Sequence, residues 1–209
     1  MNTLDVMGIS PVVPVVVVEQ VEDAVPLAKA LRDGGVSVIE LTLRSDVALA
    51  AIAAIAAEVP EVVVGAGTVL SPRDAESSIA AGARFLVSPG SPRDLLDAAH
   101  GWSVPWLPGV STATEAMNVA DAGHTEMKFF PAAYSGGAAA LGALADPLPN
   151  LTFCPTGGIS PANVADYLRL ANVACVGGSW LTPRKMVSER NWSAITDLAR
   201  VASALRGVD

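Results

Sequence analysis

Lysine is rare in this chain, and one of its three lysines stands where lysines seldom stand. Lys29 and Lys185 lie in segments that read as helix or exposed loop. Lys128 lies inside Glu126-Met127-Lys128-Phe129-Phe130-Pro131, a run that reads as a buried strand. A buried ammonium is costly unless it is paired or neutral. Desolvation favours the neutral form of an amine, and a neutral amine attacks a carbonyl carbon. Lys128 is therefore a candidate Schiff-base nucleophile. The plainer alternative is a lysine that closes a strand end or pairs with a core carboxylate.

A second run, Val38-Ile39-Glu40-Leu41-Thr42-Leu43-Arg44, carries the complementary groups. Alternation puts Val38, Glu40 and Thr42 on one face and Ile39, Leu41 and Leu43 on the other. A glutamate on an inner face needs a partner, and a cation from Lys128 or its iminium would be one. Such a carboxyl could also move protons. Arg44, just past the strand end, offers a bidentate fork for a carboxylate; a structural Glu40–Arg44 pair is the alternative. The same alternation turns Met127 and Phe129 outward. It turns Glu126 inward, one layer below Lys128, where an inward arginine is its expected partner.

Glycines mark the other places where a ligand could come close. Gly65-Ala66-Gly67-Thr68 lets backbone approach a ligand, and Thr68 adds a hydroxyl and an N–H. Pro89-Gly90 and Pro108-Gly109 end two further runs. Thr156-Gly157-Gly158-Ile159-Ser160 and Gly177-Gly178-Ser179-Trp180 expose successive N–H groups, with a helix expected to start at Ser160-Pro161. The Ser179 hydroxyl is a further donor. This is an anion cradle built without lysine or arginine, and it suits a phosphate.

These residues need a scaffold that brings strand ends together. The strand candidates are Val12–Val18, Val36–Thr42, Val62–Ala66, Arg84–Ser88, Trp106–Val110, Thr125–Phe129, Thr152–Thr156 and Val173–Gly177. Amphipathic, alanine-rich stretches separate them. Ser71-Pro72, Ser91-Pro92 and Ser160-Pro161 read as helix starts, and Thr112 with Glu115 has capping-box spacing. Gly34-Gly35, Gly82 and Gly123 read as helix stops. Strands and helices alternating in this way leave a closed (β/α)8 barrel or an open doubly wound sheet. The first strand ends in Val18-Glu19-Gln20, without the glycines of an open nucleotide-binding sheet. The paired glycines come after the seventh and eighth strands, where barrels build phosphate sites. The expectation is an α/β chain forming a (β/α)8 TIM barrel over residues 1–209 as one domain, with a short helix in Asn2 to Gly8 closing its bottom.

Composition removes several function classes. The 209 residues carry a net charge of −8 and no basic block, which argues against nucleic acid as the main partner. No apolar run is long enough for a bilayer, and the start lacks a signal-peptide pattern, so a cytoplasmic protein without a membrane partner is expected. Cys154 and Cys175 show no metal spacing and read as small core residues. His100 and His124 adjoin glycines and read as helix-end or loop residues, so no metal site is expected.

Five motifs together carry a resemblance. Glu40-Leu41-Thr42-Leu43-Arg44, Gly65-Ala66-Gly67-Thr68, Lys128-Phe129-Phe130-Pro131-Ala132, Pro155-Thr156-Gly157-Gly158-Ile159 and Gly177-Gly178-Ser179-Trp180-Leu181 follow in order from about Pro11 to the C-terminal helix. They resemble the 2-keto-3-deoxy-6-phosphogluconate (KDPG) aldolases, a family that includes the 4-hydroxy-2-oxoglutarate (KHG) aldolases. The resemblance implies a barrel, a class I aldolase without metal or other cofactor, and a homotrimer. It makes Lys128 the Schiff-base lysine and Glu40 the general acid/base. Arg44 and Thr68 would bind the pyruvate carboxylate, and Gly157, Gly158, Gly178 and Ser179 the phosphate. Pro89, Phe130 and Thr156 complete the expected substrate-binding set, with Phe130 packing on the iminium. One departure is visible: the family often has Glu after Phe-Phe-Pro-Ala, where this chain has Ala133. The competing readings are an aldolase for the galactonate-derived epimer, a metal-dependent aldolase, a phosphosugar epimerase or isomerase, and a non-catalytic phosphosugar-binding protein. The last leaves Glu40 and Lys128 buried without a purpose.

Overall fold

The computed structural model describes residues 1–205. Its strands are β1 (Val12–Val16), β2 (Val38–Thr42), β3 (Val63–Gly67), β4 (Leu86–Val87), β5 (Trp106–Leu107), β6 (Gly109–Val110), β7 (Glu126–Phe129), β8 (Thr152–Pro155) and β9 (Val176–Gly178). Its helices are α1 (Thr3–Met7), α2 (Val21–Asp33), α3 (Ala48–Glu58), α4 (Pro72–Ala80), α5 (Arg93–Ala99), α6 (Ala113–Asp121), α7 (Gly137–Ala143), α8 (Val164–Leu168), α9 (Arg184–Ser188) and α10 (Trp192–Ser203). Every strand pair given by the ladders is parallel. This is an α/β fold on a curled parallel sheet, ordered β5-β4-β3-β2-β1-β9 and β6-β7-β8.

The expected fifth strand, Trp106–Val110, is two strands rather than one. Proline has no N–H to give to a ladder, and Pro108 sits at the break. The first half of the run pairs with β4 and the second with β7, so the chain passes from one sheet to the other at this proline. At the other seam, single bridges join Phe153 to Val173 and Thr156 to Gly177.

Parallel strands with both faces covered read as continuous apolar runs. β2 follows that rule, being buried at every position. The outward side chains Met127, Phe129 and Phe153 pack under the helices, the two rings edge to face at 6.3 Å. Helix α1 is held by a capping box between Asn2 and Asp5 and buries Val6 and Met7. With Val13, Phe85, Cys154 and Cys175 these two line a void of about 20 Å³ that also touches Glu40. The expected short helix is therefore present, and it lies beneath the layer of side chains that holds the carboxylate.

Ser71 and Thr112 cap α4 and α6 as the sequence suggests. Two other helix starts fall elsewhere. Helix α5 begins after Pro92, and the Ser91 hydroxyl donates to the Gly109 carbonyl, 3.0 Å away, rather than capping. After Ser160-Pro161 the chain makes a turn, and α8 begins only at Val164. There the Ser160 N–H donates to Asn163 Oδ1 at 2.8 Å.

Candidate active site

Lys128 and Glu40 meet inside the molecule. Strand β7 presents Lys128 opposite Gly109 of β6 and Cys154 of β8. Strand β2 presents Glu40 opposite Val15 of β1 and Gly65 of β3. The lysine is 5% exposed and the glutamate 3%, with Nζ 3.0 Å from Oε1. The alternative Glu40–Arg44 pair is not formed, because the carboxylate is already taken. Gly67 makes the geometry possible, since a Cβ there would overlap the Glu40 carboxyl.

Glu126 does not find the arginine expected for it. It sits half-buried at the entry end of β7 and accepts from the Thr125 hydroxyl at 3.0 Å. The first residue of a strand lies near solvent, where a carboxylate needs no internal cation.

A cavity of about 480 Å³ opens near the ion pair, and neither Lys128 nor Glu40 lines it. Arg44, Phe130, Thr156, Gly157, Gly158 and Ser179 all stand on its wall. Phe130 is the residue that connects the pair to the cavity: its ring lines the cavity and its centroid lies 5.4 Å from Lys128 Nζ, within reach of a cation–π contact. Arg44 is oriented through β2 itself. The Thr42 hydroxyl donates to the Val16 carbonyl at 2.8 Å, and Arg44 Nε donates to Thr42 Oγ1 at 3.1 Å. Arg44 has no carboxylate partner among the described residues.

Gly157 and Gly158 turn the chain with φ of +98° and +74°, values that L side chains rarely adopt. Ala133 packs against this turn: its N–H donates to the Gly157 carbonyl at 3.0 Å, and a Cβ on Gly158 would overlap its methyl. Thr68 also has positive φ, +60°. A β-branched residue there stores roughly 1–3 kcal/mol of strain, a cost that clusters at ligand sites.

Besides the buried Lys128 and Glu40, three residues expected to bind substrate lie off the cavity wall. Thr68 follows β3, half-buried. Pro89 lines a separate concavity with Gly90 and Gly109. Gly178 is buried in β9, and the ring of Trp180 occupies the space a Cβ would need. The sequence reading missed Val15, Val17, Thr182, Pro183 and Arg184, which also line the wall. The two valines were within reach, because alternation along β1 puts them on the inner row.

An aromatic cluster occupies the entry end of β5. Trp106 lies edge to face with Trp102 at 5.5 Å and with His124 at 5.2 Å, and its indole N–H donates to Ser88 Oγ at 3.0 Å. The His124 ring stacks on His100 at 6.5 Å. Among the described residues no three His, Cys, Asp or Glu side chains cluster as metal ligands would, and no helix is long and apolar enough to cross a membrane.

Residues 4–198 match the family model for KDPG and KHG aldolase. The chain belongs to that family. The KDPG/KHG aldolase relatives include a 2-dehydro-3-deoxy-phosphogluconate aldolase of Pseudoalteromonas atlantica, 50% identical over 97% of this chain and 94% of that protein. A KHG/KDPG aldolase of Escherichia coli is 52% identical over 94% of this chain and 92% of its own length. Among solved structures, the KDPG aldolase of Legionella pneumophila superposes with a TM-score of 0.96 at 45% identity, covering 97% of this chain and 98% of that one. That crystal structure holds pyruvate captured at low pH as a covalent carbinolamine intermediate.

Proposed function

We propose that this chain is a class I aldolase that cleaves 2-keto-3-deoxy-6-phosphogluconate to pyruvate and D-glyceraldehyde 3-phosphate. The observation that carries the reading is the buried Lys128–Glu40 pair, 3.0 Å apart, with the ring of Phe130 between it and an open cavity. Family membership and the covalent pyruvate intermediate of the Legionella relative support it.

In this reading Lys128 passes a proton to Glu40 along their contact, and its neutral Nζ attacks the C2 ketone. The carbinolamine takes a proton from Glu40 and loses water, leaving an iminium. Glu40, directly or through a water, then removes the C4 hydroxyl proton. The C3–C4 bond breaks, its electron pair moves into the iminium to give an enamine, and the aldehyde leaves. Glu40 returns a proton to C3, and water hydrolyses the iminium to pyruvate and the free amine. Phe130 packs beside the iminium and shields it from solvent. Arg44 and Thr68 hold the pyruvate carboxylate, while Pro89 and Thr156 border the substrate. Gly157, Gly158 and Ser179 hold the phosphate, with Gly178 making room for Trp180 below Ser179.

The same reading includes a closed (β/α)8 barrel formed by the whole chain, 1–209. It is supported by the bridges Phe153–Val173 and Thr156–Gly177 at one seam and by chain continuity through Pro108 at the other. It also includes a homotrimer in the cytoplasm, whose mass light scattering would read. The E. coli relative's name supports 4-hydroxy-2-oxoglutarate as a second substrate. Assaying the gluconate- and galactonate-derived epimers side by side identifies the C4 configuration.

The deciding experiment is borohydride reduction in the presence of pyruvate, followed by peptide mass spectrometry. A reduced adduct on Lys128 is expected. A folded protein without that adduct overturns the mechanism, and loss of cleavage on chelation would favour a metal-dependent aldolase instead.

A further inference from the structure

Two side chains on the cavity wall have no part in the mechanism above. Thr182 and Arg184 lie in the segment after β9, on the same wall as Gly157, Gly158 and Ser179. Thr182 is 7% exposed, and its buried Oγ1 has no hydrogen-bond partner among the described residues. Buried hydroxyls in folded proteins are nearly always satisfied, so an orphan one lining a cavity points to a partner that arrives with a ligand.

Arg184 is exposed and forms no ion pair among the described residues. Arg32, Arg93, Arg169, Arg190 and Arg200 each engage a carboxylate. Arg44, Arg73 and Arg84 are likewise without an ion pair among the described residues, but of these four only Arg44 and Arg184 line the cavity, and Arg44 is assigned to the carboxylate.

We propose that Thr182 and Arg184 form a side-chain contact to the phosphate of the substrate's aldehyde half and set the preference for phosphorylated over unphosphorylated substrate. This rests on the aldolase reading and adds to it. The glycine turn supplies backbone donors that bind an oxyanion by position. Arg184 adds a full charge and a planar fork that matches phosphate oxygens. Thr182 lines the cavity with its Oγ1 closed off, so its side chain must rotate to offer its one O–H donor, which phosphate would then satisfy.

The test compares wild type with Arg184→Ala, Arg184→Lys and Thr182→Val. The substrates are 2-keto-3-deoxy-6-phosphogluconate and unphosphorylated 2-keto-3-deoxygluconate. Arg184→Ala and Thr182→Val should each raise KM for the phosphorylated substrate about fivefold, the strong end of what a partly solvated ion pair or hydrogen bond contributes. Turnover at saturation should hold, and kcat/KM for the unphosphorylated substrate should not move. Arg184→Lys should recover part of the loss. Equal changes on both substrates, or none on either, overturn the proposal. Calorimetric titration with inorganic phosphate separates it from the aldolase reading. Should wild type cleave neither substrate, weaker phosphate binding by Arg184→Ala still supports this contact, and unchanged binding overturns it.

Discussion

Replacing Lys128 by methionine tests the central pair through stability as well as through catalysis. The side chains are close in volume, so packing changes little. What changes is charge: the Glu40 carboxylate, 3% exposed, loses the cation 3.0 Å away. At an effective dielectric constant near 20, that attraction is about 5.5 kcal/mol, much of it offset by the desolvation of both groups. Breaking such a pair from one side costs about 3–5 kcal/mol, because a buried charge is left alone. Domains have about 5–15 kcal/mol in hand, so the variant should stay folded. Its Tm should fall by about 6–20 °C, at about 2–4 °C per kcal/mol for a chain of this size. Glu40→Gln keeps an acceptor beside the amine and should cost less, about 1–2 kcal/mol. The double variant should be more stable than Lys128→Met alone, because the orphaned charge has gone. Urea titrations of all four proteins, followed by circular dichroism, measure this cycle, and borohydride trapping on the same samples should give an adduct only where Lys128 remains. Strict additivity, with the double variant losing the sum of the two singles, would refute the view that each residue holds the other's charge.

Other expectations follow from single contacts. Gly67→Ala should push the Glu40 carboxyl away from Nζ and lower kcat about 10²-fold with the lysine still present, as expected of a misplaced catalytic group; near-normal turnover would show that the fit at Gly67 does not govern Glu40. Arg44→Lys gives up the planar fork, so pyruvate-dependent borohydride inactivation should need about tenfold more pyruvate; an unchanged half-saturation would remove Arg44 from the carboxylate site. His124 has its pKa lowered from 6.5 by burial and by His100, with Glu126 opposing. The unfolded chain therefore binds this proton more tightly, and stability from this site holds above about pH 6.5 and falls as pH drops through that value towards the folded one. Tm should decline below that pH in wild type and less steeply in His124→Phe; parallel declines would count against this assignment.

Much of the site was legible because it obeys alternation. Glu40, Thr42 and Lys128 sit on inner faces as period two requires, and charge on an inner face implies a partner. The limits are as physical. Glu126 obeys the same period, but it begins its strand, where solvent replaces the need for a partner. The Ser-Pro signature holds at Ser71 because the helix follows at once, and fails at Ser160 because Asn163 takes over the turn. Pro108 divides a run that composition alone presents as one strand. Gly67 reads as a turn glycine, and its service to Glu40 depends on cross-strand register. Thr182 lies in an irregular segment and Arg184 opens α9 directly after it, and no local pattern says which segment folds over a cavity.

In the proposed phosphate site the turn at Gly157 and Gly158 would grip with main chain, and main chain does not mutate. A substitution can delete an arginine or a hydroxyl, but short of proline it leaves every N–H in place. This end of the site can therefore be lost through shape and hardly through chemistry, since a side chain on Gly158 would collide with Ala133. Variation among descendants of this sequence is thus channelled. On the proposed assignment the oxyanion grip would persist as an inheritance of the fold, and changes in substrate taste would be written in the replaceable side chains around it, Ala133 on one side and Thr182 with Arg184 on the other.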